Sequence, residues 1–226
     1  MLKNKSTALR LDIIGLLLAG LINTFLAMFD AGVIFAPGTP TGQPDVWLRA
    51  QWIVENGLRW QGGWLFWFPV TLSFAWSYYA LGRHLTGSRA WFPLALGVAL
   101  VAAAVDLVGV LINMTVLPHL AQAAISDSSG STIIVFEAME KLTNALTNIS
   151  AFGLYSVAGA LLIPAAFATK AYPRWLAWFG VVEWGIALFA TVLLMISPVI
   201  ATVPLLISFV LYAPWVWGSA YWLYKK

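Results

Sequence analysis

The sequence predicts an all-α membrane protein: a polytopic bundle of six transmembrane helices forming a single integral membrane domain over residues 1–226. Three observations carry that prediction. Of the 226 residues, 61% are hydrophobic and only 9% are charged, and the mean hydropathy is +0.85, well outside the soluble range. Apolar runs of roughly the 20 residues a spanning helix needs recur six times, at 13–29, 63–81, 91–117, 149–168, 175–197 and 199–224. These runs are continuous and lack the period-two alternation of barrel strands, so helices are expected.

The first run follows Lys3, Lys5 and Arg10. A basic start before an apolar stretch resembles a signal peptide. This stretch, about 17 residues, exceeds a usual signal core, and no small-x-small cleavage site follows it, so an uncleaved span is expected. After it come the turn-rich Pro37-Gly38-Thr39-Pro40 and Gly42-Gln43-Pro44. Asp45 then caps a predicted amphipathic helix over 45–58, with Val46, Ala50, Ile53 and Gly57 on one face. Arg49, Gln51, Glu55 and Asn56 are its polar residues. Such a helix is expected to lie along the outer interface.

Trp60, Trp64 and Trp67 open the second span on its outer side, and Trp91 opens the third on the inner side. Trp175 and Trp178 do the same for the fifth, and Trp215, Trp217 and Trp222 sit near the inner end of the sixth. These are aromatic-belt positions. The run Ser126-Asp127-Ser128-Ser129-Gly130-Ser131 reads as a loop. Helical periodicity resumes at Ile133, giving an outer extension over 133–148 that continues into the fourth span. Unbroken to Ala168, this helix would be about 54 Å long, so its first turns project beyond the hydrocarbon core, and Pro164 marks a bend.

Charge sets the orientation. With both termini cytoplasmic, the inner segments carry Lys3, Lys5, Arg10, Arg83, Arg89, Lys170, Arg174, Lys225 and Lys226, nine of the twelve basic residues. Arg49, Arg59 and Lys141 fall outside. The positive-inside rule selects this arrangement, multi-pass in the plasma (bacterial inner) membrane. The acids of the outer segments, Asp30, Asp45, Glu55, Asp127, Glu137 and Glu140, count little in setting it. The basic residues form no stripe, so nucleic acid is not an expected partner; the bilayer is.

Two acids fall inside apolar runs, Asp106 and Glu183, and intramembrane carboxylates mark functional positions. Asp106 belongs to a stripe of small and polar residues at helical spacing: Ala95, Ala99, Ala102, Asp106, Gly109 and Asn113. Gly180, Glu183, Ala187 and Ala190 form a second stripe, and Gly20, Asn23, Ala27 and Asp30 a third. A fourth runs through Glu137, Lys141, Asn144, Asn148, Ala151, Tyr155 and Ala158. Small-residue faces let helices approach closely and equally suit a membrane-protein partner or a second copy.

Counting rise per residue puts Asp106 about 22 Å and Glu183 about 12 Å from their inner span ends. By depth, Tyr155, Tyr212 and Ser208 are candidate partners for Asp106, and Asn23 for Glu183. No Lys or Arg shares either level, so one or both acids are expected to be neutral at rest. Towards the outside, Asn113, Asn144 and Asn148 share a level below His119, Glu137, Glu140 and Lys141. His119 with the two glutamates offers acceptable metal ligands, but their helical turn reads as a solvated face, and no metal is expected.

Several chemistries find no support. The chain has no cysteine and two histidines, His84 inside and His119 outside, too far apart to share a haem. No lysine lies inside a span to form a retinal Schiff base, and iron–sulfur ligands are absent. Phosphate loops and zinc-protease motifs are also absent.

The leading expectation is binding or transport of a small solute or a proton/cation through Asp106, with Glu183, Tyr155, Tyr212, Asn23, Asn113 and Asn148 as accompanying site residues. Pro204 and Pro214 offer a broken helix, a device of transport sites. Two alternatives remain open. One is a non-catalytic accessory or assembly subunit of a membrane complex. The other is an intramembrane enzyme acting on a lipid or isoprenoid, with Asp106 and Glu183 as acid and base; the depth difference of about 10 Å counts against it.

Overall fold

A computed structural model describes residues 6–29, 36–40, 42–86 and 90–226. Lys3, Lys5, Asp30 and Arg89, used above for topology and for the stripe of the first span, lie outside the described residues. No strand occurs among the described residues. The helices are α1 (Thr7–Phe29), α2 (Val46–Glu55), α3 (Gly57–Gly82), α4 (Trp91–Ser126), α5 (Ser131–Ala168), α6 (Arg174–Ile196) and α7 (Pro198–Lys225). Five of them, α1, α4, α5, α6 and α7, are long and apolar enough to cross a membrane.

Local chemistry explains the starts. Ser6 Oγ accepts the Leu9 amide at 3.3 Å at the head of α1. Asp45 Oδ1 accepts the amides of Trp47 (2.8 Å) and Leu48 (3.2 Å) at the head of α2, satisfying donors that have no helical partner. Pro198 begins α7, where its missing N–H costs nothing.

The six long helices form a closed ring in chain order: each packs on the next, and α7 returns to α1. The main core lies inside this ring. A smaller core lies at one end, where α2 packs Ala50 and Ile53 against the ends of α4 and α5 and the Trp60–Trp64 start of α3.

The structure changes several expectations. α3 begins at Gly57, six residues before the predicted span, and α4 continues to Ser126 rather than stopping near Leu117. α5 is continuous, and its 38 residues measure about 57 Å. Neither Pro164, Pro204 nor Pro214 interrupts its helix. The irregular backbone lies elsewhere, in π-turns at Ile22–Leu26, Ile112–Val116 and Ala145–Ala151. Each contains an asparagine: Asn23, Asn113 or Asn148.

In α5 the buried face of the N-terminal half is Ile133, Phe136, Glu140, Thr143 and Thr147. That is one residue behind the stripe read from sequence, in which Glu137 is half-buried and Lys141 exposed. From the last residue of the π-turn onward the stripe and the buried face coincide, at Ala151, Tyr155 and Ala158.

The α4–α5 turn is organised by Asp127. Its Oδ1 accepts from the Ser129 amide (2.8 Å) and hydroxyl (2.6 Å), and its Oδ2 from the Thr132 amide (2.9 Å) and hydroxyl (2.7 Å). Gly130 turns the chain with φ +71°, a conformation that suits glycine. The Ser129 and Thr132 hydroxyls, followed by the two amides, hold the Asp127 carboxyl well below the usual carboxylate range. A group depressed in the folded state contributes above its unfolded value, about 3.9, and loses that contribution as pH falls through its folded value. Hydrogen exchange at the Thr132 amide should therefore stay slow through mild acid and quicken only in strong acid. Asp127→Ala should quicken it at neutral pH; unchanged protection would contradict the assignment.

Candidate functional site

Asp106 sits within the ring, 4% exposed. Every residue of its predicted stripe is buried: Ala95, Ala99, Ala102, Gly109 and Asn113 share its face of α4. The partner it finds was not foreseen. Thr71 on α3 donates its hydroxyl to Asp106 Oδ2 at 2.6 Å, and the Trp67 indole one turn earlier also hydrogen-bonds the carboxylate. Tyr155 on α5 donates to the Thr71 carbonyl at 3.3 Å. Thr71 thus joins α3 to both α4 and α5.

Beside Asp106 is a cavity of about 100 Å³. It lies where five helices meet: α1 contributes Ala27 and Met28, α3 Trp67, Val70 and Phe74, and α4 Asp106. α5 contributes Thr147, Asn148, Phe152 and Tyr155, and α7 Leu205, Leu206 and Phe209. Phe74 and Tyr155 stack at 4.7 Å between centroids. Asn148 Nδ2 donates to Asn144 Oδ1 at 2.7 Å. Thr71 and Trp67 are both donors, which leaves the remaining lone pairs of the Asp106 carboxylate for an occupant. A larger cleft of about 410 Å³ lies beside α2, but it is open, and its Gln51 and Glu55 bond each other at 2.7 Å. It brings together none of the predicted site residues.

The other predicted residues are distributed differently. Glu183 is 1% exposed and is not among the residues lining the Asp106 cavity. Its Oε1 receives the Ser208 hydroxyl at 3.5 Å, so Ser208 belongs to Glu183 and not to Asp106. Its Oε2 is buried with no partner among the described residues. Tyr212 donates to Ser77 Oγ at 2.6 Å. Asn23 donates to the Ala19 carbonyl (2.9 Å) and to Ser73 Oγ (2.6 Å), not to Glu183. Asn113 bonds the Gly109 carbonyl at 3.0 Å, and its own carbonyl accepts the Trp60 indole at 2.7 Å. Of the predicted set, Asp106, Tyr155 and Asn148 meet at the cavity.

Two ionic sites escaped the sequence reading. Glu140, expected on a solvated face, is 6% exposed and grips Arg49 of α2, which is 4% exposed. The guanidinium reaches Oε1 through Nε at 2.9 Å and Oε2 through Nη2 at 2.6 Å, and its Nη1 donates to the carbonyls of Gln43 and Pro44. Both Glu140 oxygens are engaged, which removes it from any set with His119; Glu137 instead pairs with Lys141 at 2.9 Å. At the opposite end of the ring, buried Asp12 of α1 accepts from Arg83 Nε and lies against His84 Nε2, each at 2.7 Å. The pair Arg83-His84, just past α3, was the available signal for this second site.

No family model, curated protein or solved structure matches the chain.

Proposed function

We propose that the chain crosses the plasma membrane six times, with both termini cytoplasmic, and binds a small solute in the Asp106 cavity as part of proton- or cation-linked transport. The sixth span is α3. Its 26 residues measure about 39 Å, enough to cross. Its mean hydropathy is lowered by Trp60, Trp64, Trp67, Trp76, Tyr78 and Tyr79, residues that membrane proteins place at interfaces and in packed seams. The distribution of basic residues supports the orientation. α2 and its neighbours then cap the outer end.

The observation that carries the functional reading is the cavity itself: a buried carboxylate beside unfilled space at the meeting of five helices. An intramembrane ionisable group in such a place points to a ligand or ion pathway. Glu183 lies away from this cavity, which weighs against the paired-carboxylate enzyme.

Gentle extraction followed by mass spectrometry tests the reading. The wild-type protein is expected to retain a small molecule at near-stoichiometric level that Asp106→Asn loses at least tenfold. Equal retention by both proteins overturns it.

A further inference from the structure

Resting on the reading of the Asp106 cavity as a binding site, we propose that its ligand is a small alkylammonium ion. The wall chemistry carries this. One carboxylate, Asp106, faces a lining that includes five aromatic side chains, Trp67, Phe74, Phe152, Tyr155 and Phe209, and no Lys, Arg or His among the described residues. An anion would meet the carboxylate with no cation to balance it. A purely apolar ligand would bury that carboxylate against hydrocarbon, which is costly.

An inorganic cation fares little better. Hard cations need many oxygen ligands, and beside Asp106 the lining side chains offer oxygen from Thr147, Asn148 and Tyr155. An ammonium head with a short hydrocarbon body suits both halves of the wall. Its N–H groups can donate to Asp106 and to the Asn148 carbonyl oxygen, which is left over when Nδ2 bonds Asn144. Its charge is further favoured by aromatic rings, and its alkyl part packs on Leu205, Leu206 and Val70.

Size narrows the class. The cavity of about 100 Å³ is about two-thirds of the roughly 150 Å³ apolar cavity that admits benzene. At interior packing density it takes roughly four or five non-hydrogen atoms. Isobutylammonium is of that size, and isobutanol is its neutral counterpart.

The test uses the full chain in lipid nanodiscs, with empty nanodiscs correcting for partition into lipid. Quenching of tryptophan fluorescence, to which Trp67 contributes, or ligand-observed NMR reads binding. Saturable binding of isobutylammonium, at least tenfold tighter than isobutanol and weakened at least tenfold by Asp106→Asn, is the expected result. Equal binding of the two probes overturns the charged class while leaving the cavity as a ligand site. Binding of neither probe overturns the inference, and the co-purification experiment then decides separately whether the site binds anything. The comparison of two probes on the wild-type protein does not depend on any variant folding.

Discussion

Glu140→Ala is expected to destabilise the fold by about 3–5 kcal/mol, the cost of leaving one member of a buried ion pair alone. Arg49 and Glu140 are 4% and 6% exposed, and two N–H···O contacts join them in the bidentate geometry that makes such pairs strong. The pair fastens α2 to α5, and Arg49 also ties down the chain just before α2 through the Gln43 and Pro44 carbonyls. Removing Glu140 leaves the guanidinium buried with only those two carbonyls. Replacing both partners with apolar residues of similar volume, Arg49→Met with Glu140→Leu, should recover most of the loss, since a well-packed apolar pair often equals a buried ionic one. Unfolding in mixed micelles of the single and double variants measures this. A double variant as unstable as Glu140→Ala would show that the pair is not the source of the loss.

Gly159→Leu is expected to cost about 1–3 kcal/mol or more, the range for overpacking a filled core. A side chain added at Gly159 would begin inside the Trp184 indole. That indole is 2% exposed and cannot swing away, because Tyr78, Tyr212 and Trp215 pack against it at 5.7, 6.0 and 5.3 Å between centroids. Between membrane helices such packing replaces the hydrophobic effect as the source of association. The loss should therefore appear as separation of α5 from α6. The same unfolding assay, with crosslinking between α5 and α6, checks it; wild-type stability would mean that the helices have slack at this contact.

Depth and face were separately legible in the sequence. The Asp106 stripe was readable because six small or polar residues kept one helical phase across α4, and all six are buried. Thr71 was not, because one threonine scarcely alters the hydropathy of a segment whose pattern is set by tryptophan. Rise per residue gives height along a helix but not the direction in which neighbours lie, so depth alone pairs Ser208 with Asp106, whereas its hydroxyl bonds Glu183. The α5 stripe departs from the buried face in the N-terminal half of the helix because the π-turn at Ala145–Ala151 adds a residue to the turn and shifts the phase. Arg49 and Glu140 are 91 residues apart, and no local pattern announces a contact of that range. The cavity arises from the convergence of five helices, which periodicity within any one of them does not contain.

If Asp106 serves a ligand, the space beside it must admit a small molecule. The chain has no cysteine, so a single cysteine introduced on an otherwise silent background reports access directly. Asn148→Cys lies on the cavity wall, whereas Ser156→Cys, two turns further along α5, is fully buried outside it. In the protein held in nanodiscs, a small cationic thiol reagent should modify position 148 at least tenfold faster than position 156. Equal, negligible reaction at both would mean that the cavity is sealed, and would contradict a binding role for Asp106.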